Sequence, residues 1–306
     1  MALSVGVLAA EHVAVGLVEG TRLVGLLRTL DAEGKGDALR SMPAEEIAHS
    51  ISEQVEAARQ GESLRAVGIG FPGIIRAGVV QDSPNLPQIK GYDLGTALSS
   101  MLSQHGQPVR AAIFNDADVM AAGIAATRGQ LHRLVRTWTL GNGIGFGRYP
   151  WVEGIWEGGH SVVSLDPKEH FCGCGGRGHL EGIMGHRAMR LRFLDLEPEE
   201  VFANAASGDE RCEAFVKLWH CALAAATATS IHMDGPGEFF VGGYNARFVD
   251  PARLDRYLHD FVKMSPLQGS RFEVVATSDE LGVIGAAVNA ERFVAAGSNR
   301  GEHSPI

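Results

Sequence analysis

Between positions 160 and 179 the chain carries His160, Cys172, Cys174 and His179, with Gly173, Gly175, Gly176 and Gly178 interleaved. Imidazoles and thiolates are borderline and soft ligands, and glycine lets a backbone wrap an ion. Four such ligands suit zinc in tetrahedral geometry, and a site with all four positions filled is structural. A zinc hydrolase is disfavoured, because it needs an open metal position. The other reading is a pair of buried thiols with two surface histidines, and His170 is a competing ligand. Cys212 and Cys221 complete the four cysteines. They sit in an apolar helical stretch and read as buried free thiols. In a reducing compartment the tight Cys172/Cys174 pair points to metal rather than a disulfide.

Three further sets could do chemistry. Asn115-Asp116 follow a strand expected over 109–114. A carboxylate at the C-terminal end of a parallel strand faces the crevice where α/β proteins bind ligands, and it can accept a hydroxyl proton. The alternative is a cap for the next helix. Glu157-Gly158-Gly159-His160 and Glu181 flank the Cys/His string. Two carboxylates and an imidazole could hydrogen-bond sugar hydroxyls, or form a solvated polar loop. Finally, Leu140 to Gly147 (LGNGIGFG) and Val241-Gly242-Gly243 each end a strand. Bare amides in such turns can cradle phosphate, although glycine turns are common.

These residues need elements to hold them. Residues 4–9, 13–18 and 22–28 read as an antiparallel meander. Apolar spacing predicts a helix over 42–58, with Pro43 in its first turn. A strand over 64–69, a helix over 94–105 and the strand over 109–114 complete a β-β-β-α-β-α-β pattern. That order fits an α/β domain with a mixed sheet. Beyond Asn115, helices are expected over 119–127, through Leu194, over 209–232 and over 281–295. Strands are expected over 134–140, 238–241 and 274–276. Residues 148–182 read as irregular, and 297–306 as a polar, unstructured tail.

The 306 residues are 45% hydrophobic and 21% charged, with a net charge of -9. This is ordinary globular composition, enough for about two domains. No Lys/Arg block suggests nucleic acid. No unbroken apolar run reaches membrane-span length, and the N-terminus lacks the basic start of a signal peptide. A cytoplasmic protein is expected.

In this order the motifs resemble the ROK family (repressor, open reading frame, kinase) over nearly the whole chain. They are Gly70-Phe71-Pro72-Gly73, Pro84-Asn85-Leu86, Asn115-Asp116-Ala117, the glycine turn with Asn142 where the family has Thr, Glu157 to His160, the loop from Cys172 to Glu181 with His179 where the family has a third Cys, Gly242-Gly243, and Gly285-Ala286-Ala287. The resemblance implies an α/β, two-domain actin-like ATPase (ribonuclease H-like) fold with an interdomain cleft. Residues 1–114 with about 283–296 would form the smaller domain, and 115–282 the larger. It implies ATP- and magnesium-dependent phosphorylation of a hexose at its 6-hydroxyl, with Asp116 as base. Gly73, Asn85, Asn115, Glu157, His160 and Glu181 would bind the sugar. Gly141, Asn142, Gly143, Gly145, Gly242 and Gly243 would bind nucleotide. His160, Cys172, Cys174 and His179 would hold structural zinc. A homodimer or homotetramer is implied too.

One departure is marked. The family opens with Asp-x-Gly-Gly-Thr, which wraps phosphates and helps hold magnesium. Here the aligned residues are Leu8-Ala9-Ala10-Glu11-His12. The carboxylate and both glycines are gone, and Glu11 adds charge of the wrong sign. The alternative to a working kinase is therefore a non-catalytic sugar-binding protein serving as sensor or partner subunit. No helix-turn-helix precedes the fold, which disfavours a DNA-binding repressor.

Overall fold

A computed structural model of the chain describes residues 3–10, 12–30, 38–103, 109–154 and 157–301, the last five by backbone alone. The elements run β1 (Leu3–Ala9), β2 (Val13–Glu19), β3 (Arg22–Leu30), α1 (Ala44–Arg59), β4 (Leu64–Phe71), β5 (Ile74–Arg76), β6 (Val79–Asp82), β7 (Tyr92–Asp93), α2 (Leu94–Ser103), β8 (Ala111–Asn115), α3 (Asp116–Thr127), β9 (Val135–Leu140), β10 (Ile144–Tyr149), α4 (Leu180–Met184), α5 (His186–Arg192), α6 (Pro198–Ala206), α7 (Glu210–Asp234), β11 (Glu238–Gly242), α8 (Pro251–Phe261), β12 (Arg271–Val274) and α9 (Asp279–Gly301). Glu11 of the altered turn, the end of the helix expected over 94–105, and residues 302–306 of the expected tail lie outside the described residues.

The chain divides into two compact units. The first comprises Met1–Val135, Gly147–Ile155 and Ser278–Ile306; the second comprises Arg136–Phe146 and Trp156–Thr277. The division expected from sequence fell between 114 and 115. Instead α3 goes with the first unit, because it packs along α9 and β4.

The first unit is built on a five-stranded sheet in the order β3-β2-β1-β4-β8. β1 and β2 pair antiparallel, while β1, β4 and β8 are mutually parallel neighbours. The alternation read in the first 30 residues thus becomes the expected meander. On one sheet face, α1 buries Ile47, Ile51 and Val55, one helical turn apart, with Val5, Val7, Val67 and Ile69. Each such burial contributes roughly 1.5–3 kcal/mol. α1 starts later than expected, with Pro43 at its N-cap rather than in its first turn. On the other face α9 lies directly on the strands. A Cβ at Gly6 would overlap the Val283 carbonyl, and one at Gly68 the Ala286 carbonyl. α9 also continues through Gly301, where an unstructured tail was expected from 297. A small sheet, β5-β6-β7, follows β4.

The second unit carries the four-stranded sheet β10-β9-β11-β12, whose β10 runs on into the first unit, with β11 and β12 parallel. β12 spans 271–274, earlier than the strand expected over 274–276; Phe272 is the residue that enters the core. β10 occupies part of the stretch read as irregular. α7 is long and apolar enough to cross a membrane by length and composition, but 61% of its apolar window is buried. Trp219, Leu223 and Phe215 on α7 pack with Trp138, Met184 and Phe239. Its N-terminus is capped by Asp209, which accepts from Cys212 N. Near its C-terminus, the buried Arg136 donates to the Ser230 carbonyl at 3.2 Å and the Gly235 carbonyl at 2.8 Å. A guanidinium there satisfies carbonyls that the helix leaves unpaired.

Candidate active site and metal centre

Because β1, β4 and β8 run parallel, their C-terminal ends share one edge of the first sheet. Leu8 pairs in register with Gly70, and Phe71 with Asn115. Asn115 Nδ2 donates to the Gly73 carbonyl at 2.9 Å. Asn115 Oδ1 accepts from Ala117 N at 2.9 Å, so Asn115 is the N-cap of α3. Asp116 begins the helix, and its Oδ1 also accepts from Ala117 N, at 3.0 Å. Burial pushes the Asp116 carboxyl above its ordinary range, and the Ala117 amide partly opposes this. The two sequence readings therefore separate: Asn115 caps, and Asp116 is the desolvated acid beside it. Asn85 is exposed in the turn after β6.

The same edge carries the altered N-terminal turn. Leu8 is buried against Gly70 and Gly282. His12 Nε2 lies 2.7 Å from Asp279 Oδ2 at the start of α9. Where the family pattern expects a carboxylate, the structure has a packed apolar side chain.

In the second unit His160, Cys172, Cys174 and His179 converge, their ligand atoms all within 4.8 Å of one another. His160 Nδ1 is 3.3 Å from His179 Nδ1 and 3.5 Å from Cys172 Sγ. Cys174 Sγ is 3.4 Å from Cys172 Sγ and 3.3 Å from His179 Nδ1. Bond lengths of about 2.3 Å to sulfur and about 2.0–2.1 Å to nitrogen put tetrahedral ligand atoms about 3.3–3.8 Å apart. Four of the pairs, at 3.3–3.5 Å, are close enough for one ion to bind all four ligands. His170 is outside it, exposed and stacked on Phe171 at 4.9 Å. Burial pushes the Cys172 thiol up to about 12. Burial, then the neighbouring His160, hold the His179 imidazole below its usual value.

Backbone and a buried ion pair hold this loop. Val162 and His179 form a β-bridge, and Gly178 N donates to the Glu169 carbonyl at 2.6 Å. The buried Glu169 carboxylate receives both terminal nitrogens of Arg192 on α5. Arg192 also lies 4.5 Å over the Phe171 ring. Sequence reasoning missed this pair, since its partners are 23 positions apart with no periodic signal between them.

With Nδ1 of His160 in the cluster, its Nε2 lies 3.9 Å from Glu157 Oε2. Glu181, on the first turn of α4, accepts from Ile144 N at 3.0 Å through Oε2, and Cys172 Sγ lies 3.5 Å from its Oε1. The glycine turn is thus partly engaged within the protein. Gly141 N donates to the Gly143 carbonyl at 3.0 Å, and Gly141 O accepts from His186 N at 2.9 Å. Asn142 is exposed and Gly145 half-buried in β10. Gly243, at φ 89°, seats against Leu140: a Cβ there would lie 2.6 Å from the Leu140 carbonyl oxygen. Asn245, just beyond Gly242-Gly243, donates to Gly141 O at 3.3 Å and ties the two glycine turns together.

The parallel-edged first sheet, the second sheet and the glycine turns at their strand ends have the mixed α/β architecture of the actin-like fold. Residues 20–292 match the ROK family, and the chain belongs to it. It is 29% identical over 251 residues to a glucokinase of Pyrobaculum calidifontis, covering 74% of this chain and 79% of that protein. It is 31% identical over 275 residues to a glucokinase of Aeropyrum pernix, covering 76% and 80%. In fold it is similar to a ROK hexokinase from Thermus thermophilus, with a TM-score of 0.77 at 22% identity, covering 96% of this chain and 99% of the other. A ROK glucokinase from Streptomyces griseus, in complex with glucose and AMPPNP, is similar with a TM-score of 0.64 at 22% identity, covering 95% and 99%.

Proposed function

We propose that this protein is a glucose-like hexose kinase that transfers the γ-phosphoryl group of ATP, with magnesium, to the sugar 6-hydroxyl. The observation that carries the proposal is Asp116: a carboxylate at the end of β8, raised by burial, beside its own helix cap. A raised carboxylate is a stronger base for a hydroxyl proton. In the proposed step Asp116 takes the proton of O6, O6 bonds to the γ-phosphorus, and the bond to the departing ADP oxygen breaks. Phosphoryl transfer needs mainly positioning and charge stabilisation. Asn115, Gly73, Asn85, Glu157, His160 and Glu181 are the proposed sugar ligands. The glucokinase relatives support the substrate class.

Zinc is the proposed occupant of the Cys/His cluster, because two thiols and two imidazoles bring their donor atoms within 4.8 Å of one another. Bound there, zinc is structural and fixes His160 through Nδ1, leaving Nε2 to donate. Magnesium would arrive with the nucleotide, since Leu8 supplies no carboxylate. We also propose Gly141, Asn142, Gly143, Gly145, Gly242 and Gly243 as nucleotide contacts, and a homodimer or homotetramer in solution.

The test is a coupled phosphorylation assay across hexoses with ATP and polyphosphate as donors. Sugar-dependent ADP formation from glucose is expected. Hexose binding with no turnover on any donor would overturn the proposal in favour of a sugar-binding protein without catalysis.

A further inference from the structure

The turn at Gly141 to Gly143 has two faces, and one is spent on Glu181. Ile144 N donates to Glu181 Oε2 at 3.0 Å. Gly143 has no room for a side chain on that face: a Cβ would lie 2.5 Å from Glu181 Oε2 and 3.3 Å from its carboxyl carbon. The contact is repeated one helical turn along. A Cβ at Gly185, just past α4, would lie 2.8 Å from the Asn142 carbonyl oxygen. The turn is braced from behind, since Gly141 O accepts from His186 N at 2.9 Å and from Asn245 Nδ2 at 3.3 Å. The other oxygen of Glu181 faces Cys172 Sγ at 3.5 Å. The carboxylate is therefore held between a braced turn and the Cys/His loop.

We infer that the Gly143-Ile144 backbone positions Glu181, so that this turn governs hexose affinity as well as lying on the path of the nucleotide. The inference rests on the proposed role of Glu181 as a hexose ligand. A carboxylate has about four acceptor sites. One amide fixes its rotamer and leaves capacity for sugar hydroxyls. An amide bond to a charged oxygen is among the stronger hydrogen bonds, and glycine at 143 is the only residue that permits it without moving the carboxylate. Gly143 is thereby a positioning residue, acting through Glu181.

The experiment is a double-mutant cycle read by calorimetric titration of glucose in the absence of nucleotide. It uses the wild type, Gly143→Ala, Glu181→Ala and the double variant, each checked by circular dichroism and thermal melting. Each single substitution is expected to weaken glucose binding about tenfold or more, the size of one charged hydrogen bond. The double variant should be no weaker than Glu181→Ala alone. Additive losses in the double variant, or wild-type glucose affinity in Gly143→Ala, overturn the inference while the role of Glu181 stands. Wild-type glucose affinity in Glu181→Ala overturns both. If Gly143→Ala does not fold, Glu181→Asp serves. Its shortened carboxylate cannot keep both contacts, so glucose affinity should fall nearly as far as in Glu181→Ala; wild-type affinity overturns the inference.

Discussion

Leu8 and Gly282 are packed so closely that a Cβ on the glycine would lie 2.8 Å from Leu8 Cδ2. The end of β1 is thus filled by an apolar side chain, with Gly70 on its other side. Restoring the family's carboxylate by Leu8→Asp would bury an unpaired charge in that seat. It is expected to cost roughly 2–4 kcal/mol of stability, from lost packing and desolvation together. Thermal melts with and without magnesium check this. A Leu8→Asp protein that melts at the wild-type temperature, or gains ATP turnover, would show that the seat tolerates a metal-binding carboxylate.

Asp116 separates activity from stability. Its folded pKa is raised by burial, so the fold disfavours the ionised form. The penalty appears as pH rises above the unfolded value of about 3.9 and is complete above the folded value. Asp116→Asn keeps an oxygen for the Ala117 amide and removes the charge. Phosphorylation should fall by about 10²–10⁴-fold or more, while the melting temperature at pH 7 holds or rises. Loss of activity accompanied by a lower melting temperature would mean that Asp116 is a structural residue.

The Cys/His cluster makes a stoichiometric claim. Elemental analysis should find about one zinc per chain, and Cys174→Ser or His179→Ala should lose it. Chelation should lower the melting temperature and weaken glucose binding together, because the loop that carries His160 and Glu181 is one piece. Full glucose affinity in zinc-free protein would sever the cluster from the sugar site.

How much of this was legible in the sequence depends on the range of the contact. The convergence of His160, Cys172, Cys174 and His179 could be read because the four residues and their glycines sit in one local string. Asp116 could be read because strand, cap and helix are consecutive. The small sheet β5-β6-β7 could not: its strands are two to four residues long, and the turn between the first two needs Ala77 at φ 49°. β10 was hidden because Gly145 and Gly147 interrupt its alternation. Gly147 lies against the Ala117 carbonyl, a contact 30 residues away. α8 was missed in the sequence, although Asp250 stands as its N-cap and Pro251 in its first turn. The engagement of Ile144 N by Glu181 was beyond reach, since only the folded chain brings positions 144 and 181 together.

His220 gives the fold a pH dependence of its own. It is buried on α7, with Nδ1 2.8 Å from the Val216 carbonyl and Nε2 3.0 Å from Asp250 N. The first partner can only accept and the second can only donate, so the ring is the neutral Nδ1–H tautomer. A second proton would point Nε2–H at another N–H. Burial, foremost, holds its pKa below the usual histidine value. The unfolded chain, with a histidine pKa of about 6.5, therefore binds the proton more tightly than the fold does. This contribution to stability is complete above about pH 6.5 and is lost as pH falls toward the folded value, by at most about 1.4 kcal/mol per pH unit. His179 is shifted in the same direction, so melts should be run on zinc-loaded protein, where a metal ligand stays neutral. His220→Gln loses the ring packing at pH 8 but has nothing to titrate. Urea melts from pH 8 to pH 5 should show the wild type and the variant converging in stability as pH falls. Parallel curves across that range would mean that the acid sensitivity of the fold lies elsewhere.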